Sequence, residues 1–212
     1  MNNREKFLNA EETISIYTGG AGRGSSYTGL LKFKDCLKEK VSCAVIMKNH
    51  KDMKVCGGIY WTAKELFLNE TQSLNHVQTK ITFKSGATLE FVSSDHVRGR
   101  KFDYVFIDNA AQLDDVELTY ALNSFKKKAW LSVIPDTVQG VLFDMMKEYY
   151  TEYEDRFEFN HDHISDNKYI GVYSGTCVDN PELLEQCPKY LKQLQSLSKL
   201  DRDKLLYGHI IK

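Results

Sequence analysis

What this sequence lacks narrows it before any motif is read. No segment approaches the roughly 20 apolar residues that a membrane-spanning helix needs. The opening residues, Met1 to Lys6, lead into no apolar run of signal-peptide length. The five cysteines, Cys36, Cys43, Cys56, Cys177 and Cys187, are odd in number, and no pair has C-x-x-C spacing. That argues against a disulfide framework or a zinc cluster, fits a reducing compartment, and leaves the cysteines as small buried fillers. Charge of neither sign is in excess: 28 Lys and Arg oppose 29 Asp and Glu, for a net charge of -1. No global field therefore advertises a nucleic-acid partner, although a local basic patch stays open. Internal repeats and low-complexity linkers are also missing. These absences point to a soluble cytoplasmic protein with no membrane partner. The 212 residues, 42% hydrophobic and 27% charged, suffice for a core, and the expectation is a single domain over 1–212.

The coarse pattern alternates strands with helices. Thr13–Tyr17 is a short β-rich run leading into Gly-Gly, and 26–38 has helical spacing with Leu30, Leu31, Phe33 and Leu37 as its apolar set. Cys43–Met47 reads as a buried strand. Residues 52–68 read as mostly helical, weakened at Gly57-Gly58. Lys80–Ser93 is the clearest hairpin, turning at Lys84-Ser-Gly86. Strands follow at 104–108, at 129–134 (ended by Pro135) and at 169–176. Helices are expected at 114–127, 137–149 and, opening on Pro181, 181–197. Residues 151–166 are rich in acidic residues and His and read as a surface excursion. Such alternation predicts an α/β fold: a mostly parallel central sheet, helices on both faces and one antiparallel hairpin.

The most informative absence is a single lysine. Tyr17-Thr-Gly-Gly-Ala-Gly-Arg-Gly-Ser-Ser-Tyr-Thr28 has the frame G-x-x-x-x-G-K-[ST] from Gly19 to Gly24, with Ser26 on the hydroxyl position and Ser25 where lysine belongs. Glycines let successive backbone N–H groups curl around one anion, and the helix that follows adds the positive end of its dipole. Gly19, Gly20, Gly22, Arg23, Gly24, Ser25, Ser26 and Tyr27 are thus candidate nucleotide-binding residues; the competing reading is a plain strand-to-helix turn. Ser25 cannot supply an ammonium. Arg23 is the nearest cation, and its planar fork suits phosphate, against the alternative of a solvated arginine on an exposed loop. Lys32, seven residues past Ser25, lies about 10 Å down the helix axis, too far to serve the γ-phosphate.

A second stretch has a matching defect. Phe102-Asp-Tyr-Val-Phe-Ile-Asp-Asn-Ala-Ala111 reads as a buried strand ending in Asp108, at the edge where open α/β sheets bind ligands. Asp108 with Ser26 would order Mg²⁺. Asn109 follows where a hydrolase places a general base; an amide can bond a water but cannot take its proton, and losing the base costs roughly 10²–10⁴ in rate. The alternative is a simple turn after a strand. Asp114 and Asp115 read as helix N-terminal residues rather than replacement bases. Arg98, Arg100 and Lys101, with Lys126, Lys127 and Lys128, are candidates for DNA phosphate contact, although a charge run is more usually a solvated face. His161-Asp-His163 with Asp166 lacks an established ligand spacing and reads as a solvated loop. Tyr149, Tyr150 and Tyr153 suit packing better than base stacking.

In order and spacing these segments resemble the ATPase domain of the phage terminase large subunit, the motor that packages DNA. Gly19 to Ser26 looks like that family's G-G-A-G-S-G-K-S loop, and Phe83-Lys-Ser-Gly-Ala-Thr-Leu-Glu-Phe91 like its hairpin. Val97-Arg-Gly99 with Phe102 to Gln112 is similar to its R-G…D-x-x-x-x-D-E-A segment. Asp179-Asn-Pro-Glu-Leu183, Tyr190, Leu194 and Asp201 to Gly208 resemble the close of the domain. The resemblance covers nearly the whole chain. It implies an additional-strand P-loop fold, ATP with Mg²⁺, ring assembly on a portal with a monomer in solution, contact with duplex DNA, portal or other terminase subunits, and the host cytoplasm as location.

The departures from the family are Ser25 for lysine, Asn109 for glutamate, and a coupling segment Ser132-Val-Ile-Pro135 in which Ser132 matches and Ile134 does not. The aromatic that often follows the closing glycine is missing in Gly208-His-Ile-Ile. No counterpart of the family's nuclease domain, with its acidic metal cluster, follows, so DNA cleavage by that route is not expected. Two readings result: an impaired or inactive ATPase domain that binds nucleotide, DNA or the packaging machinery, or a working packaging ATPase in which Arg23 replaces the lysine.

Overall fold

A computed structural model describes residues 2–135, 138–161, 163 and 167–212. In chain order the strands are β1 (Ile14–Gly19), β2 (Ser42–Met47), β3 (Thr71–Asn75), β4 (Lys80–Phe83), β5 (Thr88–Ser93), β6 (Phe102–Ile107), β7 (Phe125–Ser132), β8 (Tyr150–Glu152), β9 (Arg156–Phe159), β10 (Ile170–Gly175) and β11 (Ile210–Ile211). The helices are α1 (Asn3–Leu8), α2 (Ser25–Leu31), α3 (Phe33–Cys36), α4 (His50–Lys54), α5 (Ile59–Leu66), α6 (Asp115–Leu122), α7 (Gly140–Met146), α8 (Pro181–Gln186), α9 (Tyr190–Gln195) and α10 (Lys199–Arg202). The fold is mixed α/β, its strand pairing mostly parallel outside one small antiparallel sheet, with helices around the strands, as the alternation predicts.

The chain divides into two compact units, Met1–Ser25 with Ser132–Lys212, and Ser26–Leu131. In the first, β1 pairs in parallel with β10 in register from Ile14↔Ile170 to Gly19↔Gly175. Every β1 residue is buried, as expected for a strand covered on both faces. Phe7 of α1 stacks on Tyr17 at 4.9 Å between ring centres, and Arg4 pairs with Glu182 of α8 at 2.9 Å. A separate antiparallel sheet runs β11-β9-β8. The acidic stretch expected as a surface excursion thus contains two paired strands. A small apolar cluster of Cys177, Leu194 and Leu206 closes the unit.

In the second unit six strands run in the order β7-β6-β2-β5-β4-β3. The neighbours β7/β6, β6/β2 and β2/β5 are parallel; the hairpin β4/β5 and the added strand β3 are antiparallel. Cys43, Ala44, Val45 and Ile46 of β2 and Val105, Phe106 and Ile107 of β6 are fully buried.

Several boundaries differ from the sequence expectation. The helix expected over 114–127 stops at Leu122, and Phe125 to Lys128 pair along β6 as strand β7. The long late helix breaks after Gln186, where Cys187-Pro188 intervenes; proline lacks the N–H a continuing helix needs. The 52–68 helix is split by Gly57 in a left-handed conformation, φ 76°. The first helical segment breaks at Lys32 into α2 and α3. Thr137, the expected start of the helix observed from Gly140, lies outside the described residues. Among the described residues no helix is long and apolar enough to cross a membrane.

Candidate functional site

In the first unit, the glycine-rich loop leaves β1 at Gly19, with φ 118°, a conformation closed to most side chains. A Cβ there would sit 1.9 Å from the Gly175 carbonyl oxygen, so the strand end itself demands glycine. Gly20 N–H donates to Gly175 O at 3.0 Å and Ala21 N–H to Leu205 O at 2.6 Å. The Asn180 side-chain amide donates to Gly22 O at 2.8 Å. Asn180, quoted above only for its D-N-P context, is therefore a loop-shaping residue; nothing in its sequence neighbourhood says that it reaches back 158 positions.

Arg23 is not a solvated loop arginine. It is 2% exposed, and its guanidinium donates to Gly19 O at 2.9 Å, Gly20 O at 2.8 Å and Val133 O at 2.8 Å, over the face of Tyr17 at 5.6 Å. Burying a guanidinium is costly unless its donors find acceptors, and three carbonyls accept from its two terminal nitrogens here. Val133 N–H in turn donates to Tyr17 O at 3.0 Å. The residue after Ser132 thereby ties the segment that follows β7 to both β1 and Arg23, with Ser132 itself buried. Gly24 and Ser25 are half-buried, and Tyr27 is largely exposed.

In the second unit, Ser26 Oγ lies 3.0 and 2.9 Å from the two carboxylate oxygens of Asp108, the residue that follows β6. Asp108 is 5% exposed, and its N–H donates to Ile46 O at 2.9 Å, continuing the β6/β2 ladder by one rung. Helix α2 reaches this position because Gly29 lies flat on β6: a Cβ there would be 2.1 Å from the Phe106 ring. Gly29 O also accepts from the Trp130 indole N–H at 2.9 Å. The hydroxyl–carboxylate pair is an all-oxygen donor set, which suits a hard cation such as Mg²⁺. Ser26 and Asp108 would hold such an ion, and bound there it would neutralise phosphate charge.

Asn109 adopts the left-handed conformation, φ 54° and ψ 56°. Asparagine visits this region more readily than other residues bearing a Cβ. Asp114 caps α6, its carboxylate accepting from Glu117 N–H at 2.8 Å while Glu117 accepts from Asp114 N–H at 3.0 Å. Asp114 and Asp115 thus occupy the start of α6, as read from the sequence. Glu117 also pairs with Lys48 at 2.5 Å and accepts from Ser94 Oγ at 2.8 Å. Burial works to raise the Glu117 carboxyl, but the bonds from Lys48, the Asp114 amide and Ser94 prevail and hold it below its ordinary range. Lys48 follows β2 and Ser94 follows β5, so Glu117 fastens the segment after Asp108 to two strand ends. Lys48, Ser94 and Glu117 form no recognisable spacing and went unread in the sequence.

The basic candidates are dispersed among local partners. Arg98 lies over Tyr120, Arg100 pairs with Glu90 and lies over Phe102, and Lys127 lies over Tyr104. Lys101 donates to Asn123 O, while Lys126 is exposed and Lys128 half-buried on β7. Tyr149 and Tyr150 are buried, with hydroxyls on Ile170 O and Thr18, which agrees with a packing role. Cys43 and Cys177 are buried as expected of fillers, but Cys56 is exposed. Asp162 and Asp166 lie outside the described residues, and among the described ones no cluster of three or more His, Cys, Asp or Glu is placed to hold a metal.

The order of β-elements and the Ser26–Asp108 pair define a P-loop-type α/β fold, and comparison with solved structures makes the class specific. The fold is that of phage large-terminase ATPase domains. The chain is similar to the large terminase of a thermophilic bacteriophage, with TM-score 0.69 and 12% identity over 97% of this chain and 52% of that one. The same protein has been solved in complex with ADP and with ATP-gamma-S. The Thermus phage P74-26 large terminase ATPase domain matches at TM-score 0.65 and 11% identity, over 97% of this chain and 92% of that one. The HK97 bacteriophage large terminase matches at TM-score 0.62 and 10% identity, over 97% and 49%. The chain thus spans about half the length of the full large terminases it matches. No family model and no curated protein sequence matches it.

Proposed function

We propose that this chain is a terminase-like ATPase domain whose metal-ordering half is retained and whose charge-clamping half has become structural. The observation that carries this is Arg23. The only cation inside the glycine frame is buried and bonded to Gly19 O, Gly20 O and Val133 O, leaving Ser25 in the lysine position without a cationic substitute from the loop. Ser26 and Asp108 keep the hydroxyl and carboxylate that would order Mg²⁺ beside a nucleotide phosphate. Asn109 orients a water without accepting its proton. The chain then serves as a binding module of a DNA-packaging assembly. It holds nucleotide weakly and meets duplex DNA, through Arg98, Arg100, Lys101 and Lys126 to Lys128, or the portal and other terminase subunits. Its place is the host cytoplasm. A ring would form on a portal, with a monomer in solution.

A fluorescent ATP analogue with Mg²⁺, combined with a turnover assay, tests this. The wild type should bind weakly and turn over slowly. Ser25→Lys with Asn109→Glu should tighten binding and raise turnover, with up to roughly 10²–10⁴-fold available from a restored base. A folded double variant that changes neither property would remove the nucleotide reading. Brisk wild-type turnover that is lost in an Arg23→Ala variant of unchanged stability would instead establish the variant-loop ATPase.

A further inference from the structure

The second unit holds a cavity of about 670 Å³ that the proposed function leaves unused. His50, Thr79, Lys80, Glu90, His96 and Arg100 are among the residues that line it. His50 opens α4 just after β2, and His96 follows β5, so both stand beyond the carboxyl ends of paired parallel strands.

The hydrogen bonds fix the tautomer of each ring. Thr79 Oγ1 donates its single hydrogen to Phe91 O at 3.1 Å. Its 2.9 Å contact with His50 Nε2 must therefore be donated by the imidazole, so His50 carries its hydrogen on Nε2 and, when neutral, a lone pair on Nδ1. His96 Nδ1 lies 2.9 Å from Asp95 Oδ1 and 3.0 Å from Ser93 Oγ. A carboxylate only accepts, so His96 carries its hydrogen on Nδ1 and its lone pair on Nε2. Neither His50 Nδ1 nor His96 Nε2 has a hydrogen-bond partner among the described residues. An imidazole that donates one N–H to a carboxylate or other oxygen and keeps the other nitrogen bare is in the state that ligates metals.

Thr79 strengthens the case. It is fully buried with φ 48°, a left-handed conformation that is an outlier for a β-branched residue. Two bonds to Phe91 hold it there, Thr79 Oγ1 to Phe91 O and Phe91 N–H to Thr79 O at 3.0 Å. Strain of this kind tends to gather at ligand clamps, and here it places the oxygen that orients His50. Glu90, the carboxylate of the cavity, is occupied by Lys80 and Arg100. The available donors are therefore nitrogens, which favour borderline transition ions over Mg²⁺ or Ca²⁺.

We propose that His50 Nδ1 and His96 Nε2 bind one divalent transition-metal ion of the Zn²⁺ type, its remaining positions filled by water. This site is chemically separate from the oxygen pair at Ser26 and Asp108. The test is titration of the whole chain with Zn²⁺, followed by calorimetry and by NMR of the imidazole nitrogens. One ion per chain should bind with both His50 and His96 resonances shifting, and excess Mg²⁺ should not compete. His50→Asn and His96→Ala should each weaken binding about tenfold or more, the range that lost outer-shell partners already reach. Thr79→Gly relieves the backbone strain while deleting the hydroxyl; its fold is checked by a thermal melt, so that weaker Zn²⁺ binding in a folded variant reports the lost orienting oxygen. Unchanged affinity in both histidine variants, or shifts confined to other histidines, would overturn the proposal.

Discussion

On the function proposed above, the glycine-rich loop of the first unit and the β6 edge of the second depart from the family's motifs in different ways. At the loop the change reaches into the packing: a cation is drawn inside, and the neighbouring carbonyls depend on it. At the β6 edge the Ser26–Asp108 hydroxyl–carboxylate pair is in place, and the change is one amide beside it, in a backbone conformation suited to an amide. On that reading the missing cation and the missing base would each be returned by one substitution, Ser25→Lys and Asn109→Glu, whereas Arg23, bonded to three carbonyls, would not be free to take the cation's place.

Arg23→Ala separates the two regions most sharply. Removing a buried guanidinium strands three carbonyls, and we expect a loss of ~3–5 kcal/mol in urea denaturation. A variant as stable as wild type but unable to bind nucleotide would place Arg23 on the ligand and erase the contrast. The smaller effect is expected at the β6 edge. Asn109→Gly should be neutral or slightly stabilising, and Asn109→Glu should cost ~1 kcal/mol, because a longer side chain bears the left-handed penalty. If glutamate is tolerated as well as glycine, the backbone there is not set for asparagine.

The smallest effect concerns the clamp behind that edge. The bonds from Lys48, the Asp114 amide and Ser94 hold the folded Glu117 carboxyl below the ordinary glutamate range. The stability it adds is complete above the unfolded glutamate range and is lost as pH falls through the lower folded pKa. Glu117→Gln should flatten this acid limb, so that the variant loses less stability than wild type as pH falls through the carboxylate range in pH-dependent urea denaturation. Parallel pH dependence in the two proteins would mean that the Lys48 pair contributes nothing.

The parallel strands were legible because they are buried on both faces and read as apolar runs, Cys43 to Met47 above all. Strand β3, Thr-Gln-Ser-Leu-Asn, was missed because it is a polar edge strand made by pairing with β4 rather than by its own residues. Phe125 to Lys127, the end of the helix expected over 114–127, lies in β7 for the related reason that register with β6 overrides local spacing. At the site, the glycine offsets and the Ser26–Asp108 partnership could be read from motif position. The inward turn of Arg23 could not, since it depends on carbonyls at Gly19, Gly20 and Val133 that only the folded chain assembles.

The bare backbone of Gly29 has a wider reach than its size implies. With the Phe106 ring on one side and the Trp130 indole bonded to its carbonyl, there is no cushion between helix and strand. A single methyl group added at this position would lever α2 off β6, and Ser26, three residues upstream on the same helix, would be carried away from Asp108. If the pair orders Mg²⁺ as proposed, cation affinity would then fall through a change that touches neither residue.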